Sequence, residues 1–238
     1  MGATANGDPV IGFGRAGFVN GLGQGVPWGI SSFLFGLAYG PLALKGGLSL
    51  AEALIMSAVV YAGTSQLVAL QLWGWPLPVF ALVFAAFAVN ARHILMGVAL
   101  RPWFGRLPLL KAYGSLFFLS DGNWSLAMRE YHAGRRDGAF LLGVGVVMYG
   151  GWLAGSAVGY GAGTFIGDPK AWGLDFMLVG FAVPILSGIR RGRADLLPWA
   201  VAGTVAVATS LLLPGYAHVL LGALAGSIVG ALARVGRP

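Results

Sequence analysis

The chain contains no cysteine in 238 residues, which excludes disulfides, thiolate nucleophiles and Cys-based zinc sites. Histidine is nearly as scarce. His93, His132 and His218 stand too far apart to form a metal-ligand cluster, so no metal or other cofactor is expected. No Gly-x-x-x-x-Gly-Lys-Ser/Thr run occurs, which removes a P-loop from this chain. Charged residues make up 10%, against about 25% in soluble domains. Hydrophobic residues reach 57%, and together these figures exclude a soluble fold. The net charge of +7 does not imply a nucleic-acid partner. The lysines and arginines lie in short loops between apolar runs, as the positive-inside rule requires. No charged stretch followed by a short apolar core and a cleavage site opens the chain, so the first helix is expected to act as the insertion signal.

Glycine and long apolar runs are abundant instead. Runs extend over about 17–44, 51–72, 77–100, 140–166, 172–189, 196–213 and 217–233, most of them long enough to cross a bilayer at 1.5 Å per residue. Lys45-Gly-Gly, Trp75-Pro-Leu-Pro, Arg190-Arg-Gly-Arg and Pro214-Gly punctuate them. Pro27 in the first run predicts a kink or a break there. The 40 glycines follow no Gly-X-Y period, and among apolar residues they point to close helix–helix packing in lipid. The expected fold is all-α: a polytopic helical membrane protein forming a single transmembrane domain over residues 1–238. Neither a repeat of 20–50 residues nor an inverted repeat is visible.

The segment 112–128 decides the topology, because Asp121, Gly122 and Asn123 interrupt its apolar character. If it spans, there are eight helices, and the lysines and arginines other than Arg92 divide nine against five. If it does not, there are seven, and only Arg15 and Lys170 face away from the other twelve. The positive-inside rule favours seven, with the N-terminus outside and residues 112–128 re-entering from the cytoplasmic side.

Within the apolar runs a few polar groups stand out by their cost. Asn90, Arg92 and His93 lie inside the third run, where a cation costs at least a few kcal/mol unless it meets a partner, water or a ligand. Asn90 and His93 share a helix face, and Arg92 points about 200° away from Asn90. Thr64, Ser65 and Gln66 supply three successive hydrogen-bonding side chains in the second run, as substrate ligands or as interhelical ties. Glu52 follows Ser49 at capping-box spacing and needs no functional role. Asp175 lies near the start of its run, where the helix dipole suffices. Asp121 has no such local explanation. An apolar setting favours its protonated form, which makes it a candidate proton carrier and a candidate partner for Arg92, as is Asp175.

The motifs Phe33-Leu-Phe-Gly36, Tyr39-Gly40, Gly47-Leu-Ser49, Ala53-Leu-Ile-Met-Ser57, Ala62-Gly-Thr-Ser-Gln66, Asn90-Ala-Arg-His93, Met96-Gly97, Leu119-Ser-Asp121 and Gly173-Leu-Asp-Phe176 occur in this order. In that order and spacing the chain resembles the AzlC family, the large subunits of bacterial branched-chain amino acid exporters. The resemblance implies a multi-pass protein of the bacterial cytoplasmic membrane, a small AzlD-type membrane subunit as partner, and export of leucine, isoleucine or valine. Family proteins usually carry an acid after the aspartate of Leu-Thr-Asp; Gly122 stands here instead, against any carboxylate pair at 121–122. Without a P-loop, secondary transport coupled to protons is expected rather than ATP-driven transport. Thr64, Ser65, Gln66, Asn90 and Arg92 are the expected substrate ligands, with Asp121 and His93 handling the coupling proton. Two rival readings are a structural or assembly subunit without its own substrate site, and an intramembrane serine hydrolase using Ser156 and His218.

Overall fold

The computed structural model describes residues 11–165, 192–212 and 217–235. The run 172–189, with Lys170 and Asp175, lies outside them. In chain order the helices are α1 (Arg15–Lys45), α2 (Leu50–Val60), α3 (Gly63–Leu72), α4 (Val79–Asn90), α5 (Arg92–Phe104), α6 (Leu109–Leu116), α7 (Asp121–His132), α8 (Ala139–Gly163), α9 (Leu196–Leu212) and α10 (Ala217–Val235). Among the described residues there is no strand, only an isolated bridge between Gly12 and Asp137. The sequence pattern marks no boundary, yet the chain divides into two compact units, Met1–Met177 and Leu178–Pro238. In the second unit α9 and α10 form an antiparallel pair: a Cβ on Gly222 would lie 2.7 Å from the Ala202 carbonyl oxygen, and one on Gly226 would lie 2.9 Å from that of Pro198.

The first unit is built on α1 and α8. A Cβ on Gly143, Gly151, Gly155 or Gly159 would overlap the carbonyl oxygen of Phe18, Gly29, Phe33 or Leu37 respectively. The partner numbers rise together, so the two helices run parallel with their backbones in contact. Only glycine permits that approach, which is the packing role its abundance predicts. Pro27 and Pro41 lie inside α1, which continues through both rather than breaking.

Parallel helices in one chain need a return crossing between them. The stretch Val79–Phe104, α4 followed by α5, supplies it with 26 residues of high hydropathy. The two intervening segments do not cross; each turns back on itself. α2 and α3, at 11 and 10 residues, are each about half the length needed for a bilayer. The Tyr160 hydroxyl donates to the Leu48 carbonyl at the far end of α8, and that of Tyr149 donates to Ala58 near its middle. The chain then turns at Tyr61, Gly63 meets Phe35 and Trp152, and Leu70 returns beside Gly46 at the end of α1. α6 and α7 mirror this from the opposite end. Leu107 lies against Gly138, Phe118 reaches Gly145, and Arg129 comes back to donate to Gln24.

The re-entrant reading of 112–128 therefore agrees with the α6–α7 hairpin, whereas the run 51–72, expected to span, is a second re-entrant hairpin. The missing signal is the turn at Tyr61, which interrupts an otherwise apolar run without glycine or proline at the turning residue. The fold-back of 51–72 also bears on the side from which α1 starts. Gly12 donates to the Arg136 carbonyl, so the start of α1 lies at the end carrying Arg101, Arg106, Lys111, Arg129, Arg135 and Arg136. Among the described residues of this unit, Lys45 is the cation at the other end. Applied to the described residues of this unit, the positive-inside rule favours a cytoplasmic start for α1, where the seven-span count has it outside.

Local chemistry fixes the ends of these pieces. Ser49 and Glu52 form the expected capping box at α2, with Ser49 N–H donating to Glu52 Oε2 at 2.7 Å and Glu52 N–H to Ser49 Oγ at 3.3 Å. Asp137 accepts from Gly14 N–H at 3.1 Å and from Ala139 N–H at 3.0 Å, joining the starts of α1 and α8 through one carboxylate.

Candidate substrate site at the hairpin tips

The two hairpins enter from opposite ends and stop at mid-height, where the crossing helix is interrupted. At Ala91 the helical ladder slips: Ile94 N–H bonds to the Ala91 carbonyl at 3.1 Å, which frees the Asn90 carbonyl. His93 Nδ1 lies 3.1 Å from that carbonyl. A carbonyl only accepts, so Nδ1 carries the proton there. The first turns of α3, α5 and α7 converge on this break. Arg92 Nη2 donates to Thr64 Oγ1 at 3.1 Å and lies 3.2 Å from Asp121 Oδ2. One guanidinium therefore links both hairpins to the crossing helix. The Arg92 and Asp121 side chains are 41% and 25% exposed, so the pair is open on one side. Two further atoms at the break, Arg92 Nε and Asn90 Oδ1, are buried and have no hydrogen-bond partner among the described residues.

Asp121 thus gains the explanation that the sequence withholds. It is the first residue of α7, after the cap at Ser120, where the helix start and Arg92 both attract negative charge. Of the two candidate partners for Arg92, Asp121 is the one described. The remaining expected ligands divide. Thr64 faces the guanidinium. Ser65 is buried in α3. Gln66, also buried, accepts from Ala62 N–H and donates to Ser57 Oγ, which lies 3.2 Å from Ser156 Oγ. That chain ties α2, α3 and α8 together, and it encloses the Ser156 hydroxyl that the hydrolase reading needs exposed.

Several further residues shape the site without a role that the sequence assigns to them. Tyr61 sits at φ 44° and ψ 43°, a left-handed conformation that bulky residues rarely adopt. Its ring packs edge-on against Tyr149 at 5.0 Å and Phe118 at 6.4 Å. Asn123, fully buried, accepts from Ser120 N–H at 2.8 Å and donates to the Phe118 carbonyl at 2.5 Å, closing the tip of the α6–α7 hairpin. Gly122, where the resemblance implies an acid, lies against the Trp28 ring, 2.5 Å from where its Cβ would stand. No larger residue fits there without moving that indole.

Half-helices meeting beside a broken crossing helix, with a cation and an acid between them, are the arrangement of a membrane transport protein. The chain belongs to the AzlC family: the family described as AzlC protein matches residues 27–166. It is 26% identical to the inner membrane protein YgaZ of Escherichia coli over 92% of this chain and 90% of that one. It is 30% identical to the branched-chain amino acid transport protein AzlC of Bacillus subtilis over 65% of this chain and 61% of that one. An uncharacterized membrane protein of Archaeoglobus fulgidus is 28% identical over 89% and 93% of the two chains. No solved structure matches.

Proposed function

We propose that the protein is the large subunit of a two-component secondary transporter that exports branched-chain amino acids across the bacterial cytoplasmic membrane, driven by protons, with a small AzlD-type subunit. The observation that carries this reading is Arg92, held at a helix break between the tips of two opposed half-length hairpins. A zwitterionic substrate needs a donor for its carboxylate and an acceptor for its ammonium. Arg92 Nε and Asn90 Oδ1 are an unpartnered donor and acceptor two residues apart. Nη2 can stay with Thr64 and Asp121 while the remaining donors turn to the substrate, so one arginine serves as anchor and counter-ion together. Asp121 would take the coupling proton, which releases it from Arg92 and frees the two hairpins to part. His93, with Nδ1 committed to the Asn90 carbonyl, keeps Nε2 for a proton relay. Gln66 serves as a tie inside the hairpin more than as a ligand. The names of the Bacillus subtilis and Escherichia coli relatives support the substrate class and the membrane.

The test is leucine flux in proteoliposomes containing both subunits. Arg92→Ala should lower flux by about ten- to a hundredfold, the loss of one to two charge-assisted hydrogen bonds. Asp121→Asn should remove the dependence of flux on the pH gradient. Unchanged flux and unchanged pH dependence in both variants would reject the scheme.

A further inference from the structure

We propose that the aromatic group Tyr61, Phe118 and Tyr149 is the subsite for the side chain of the transported amino acid, and that Phe118 sets the size it accepts. The proposal rests on the substrate reading given above and assigns the part of the ligand that the polar residues leave unaccounted for. Both hairpin tips repeat one pattern. Tyr61 precedes Thr64 by three residues, and Phe118 precedes Asp121 by three. Each tip therefore carries an aromatic ring followed, one turn on, by the polar group that meets Arg92. The two rings approach edge-on at 6.4 Å, and both contact Tyr149 of α8, at 5.0 and 5.3 Å.

The hydroxyls of the two tyrosines already have partners. The Tyr149 hydroxyl donates to the Ala58 carbonyl at 3.0 Å, and the Tyr61 hydroxyl lies beside that of Ser120. Phe118 adds a ring with no polar group at all, in contact with both tyrosine rings. A branched-chain amino acid has the same division: a charged head on the Arg92 side, and a short aliphatic tail that gains by leaving water. The tail meets groups from both hairpins and from α8, so a tail of the right size fills the seam between the tips and a larger one holds them apart. Phe118 is the residue to vary, because its backbone is fixed separately by the bond from Asn123 Nδ2 to the Phe118 carbonyl. Shortening the side chain enlarges the seam and leaves that bond in place.

The experiment measures kcat/KM for leucine, valine and phenylalanine in proteoliposomes of the two-subunit complex, for the parent, Phe118→Leu, Phe118→Ala and Arg92→Ala. Ratios between substrates are taken within one preparation, so partial loss of folded protein does not move them. Phe118→Ala should raise the phenylalanine-to-leucine ratio about tenfold or more, the discrimination expected for a change of this size in an apolar pocket. Phe118→Leu should shift it in the same direction by less. If both variants keep the parental ratios while Arg92→Ala lowers leucine flux as expected, the aromatic group is only packing and this proposal falls, with the polar site intact. If Arg92→Ala keeps leucine flux, the polar site itself is misassigned and the proposal falls with it.

Discussion

The two hairpins reach the same height from opposite ends of α1 and α8, but they are held in different ways. α2–α3 is fastened largely by its surroundings. The hydroxyls of Tyr160, Tyr39 and Tyr149 donate to the carbonyls of Leu48, Ala53 and Ala58, and Gln66 donates to Ser57, which in turn meets Ser156. α6–α7 is fastened largely by itself. Asn123 closes its tip, and at its exit Gly134, at φ 79°, turns the chain so that Arg135 folds back onto Glu130. Backbone groups in lipid need partners wherever a helix stops short, and the two hairpins meet that need from without and from within. A hairpin fastened to the scaffold moves with it, whereas a self-closed hairpin can shift as a body. The α6–α7 hairpin, which carries Asp121, is therefore the better suited to move when that acid gains or loses a proton.

The sharpest way to break this comparison is at the glycines where each tip docks. A Cβ on Gly145 of α8 would lie 2.5 Å from Phe118 Cβ, an atom that moves only with its backbone. A Cβ on Gly63 of α3 would meet the Phe35 ring at 2.7 Å and that of Trp152 at 2.9 Å, side chains that can turn. Gly145→Leu should therefore lift the α6–α7 tip and cost about 3 kcal/mol or more, read as a fall of several degrees in the thermal unfolding of the purified protein. Gly63→Ala should cost less than Gly145→Ala. Equal costs would mean that both tips dock on equally rigid walls.

The second comparison is between the two buried amides. Asn123 and Gln66 are each 0% exposed, and each ties its own tip through a backbone N–H. Asn123 also holds a carbonyl, at 2.5 Å, whereas the Gln66 bonds are both 3.3 Å. Asn123→Ala should cost about 2 kcal/mol and Gln66→Ala nearer 1 kcal/mol, each leaving buried groups unsatisfied. Chemical denaturation of the two variants checks the order, and the reverse order would contradict the self-closed reading of α6–α7.

What the sequence reveals and what it hides follow the same division. The Ser49–Glu52 cap, the glycine packing of α1 on α8, the re-entry near Asp121 and the Arg92–Asp121 pairing are all legible, because each follows from a local spacing, a composition or the cost of a charge in lipid. The turn at Tyr61 is not legible. Nothing in Val60-Tyr61-Ala62 marks a left-handed residue, and the tyrosine hydroxyls that stabilise α2 come from helices about 15 to 110 residues away along the chain. Treating 51–72 as one span also changes the side inferred for the start of α1, since each uncounted turn reverses the topology of all that precedes it. For Gln66 the sequence leaves ligand and interhelical tie open, because its partner Ser57, and Ser156 beyond that, become neighbours only once α2 has folded back.

The smallest expected effect concerns the exit of the self-closed hairpin, at the basic end. Glu130 is 2% exposed and receives two bonds from Arg135, at 2.5 and 2.6 Å. Those bonds, more than the charge of Arg135 or of Arg129, hold the Glu130 carboxyl below the usual glutamate range. A carboxyl whose folded value lies below its unfolded one adds stability above the unfolded value, near 4.3, and loses it as the pH falls through the folded value. The Arg135 side chain is 59% exposed, so solvent screening keeps the contribution modest. Thermal unfolding of the purified protein should therefore weaken between about pH 5 and pH 3 by more in the parent than in Glu130→Gln, in which the titrating group is gone. Arg135→Ala should likewise flatten that acid slope, because it removes the cause of the shift and leaves the carboxyl in place. Identical acid slopes in all three proteins would show that the exit of α6–α7 is not closed by this pair.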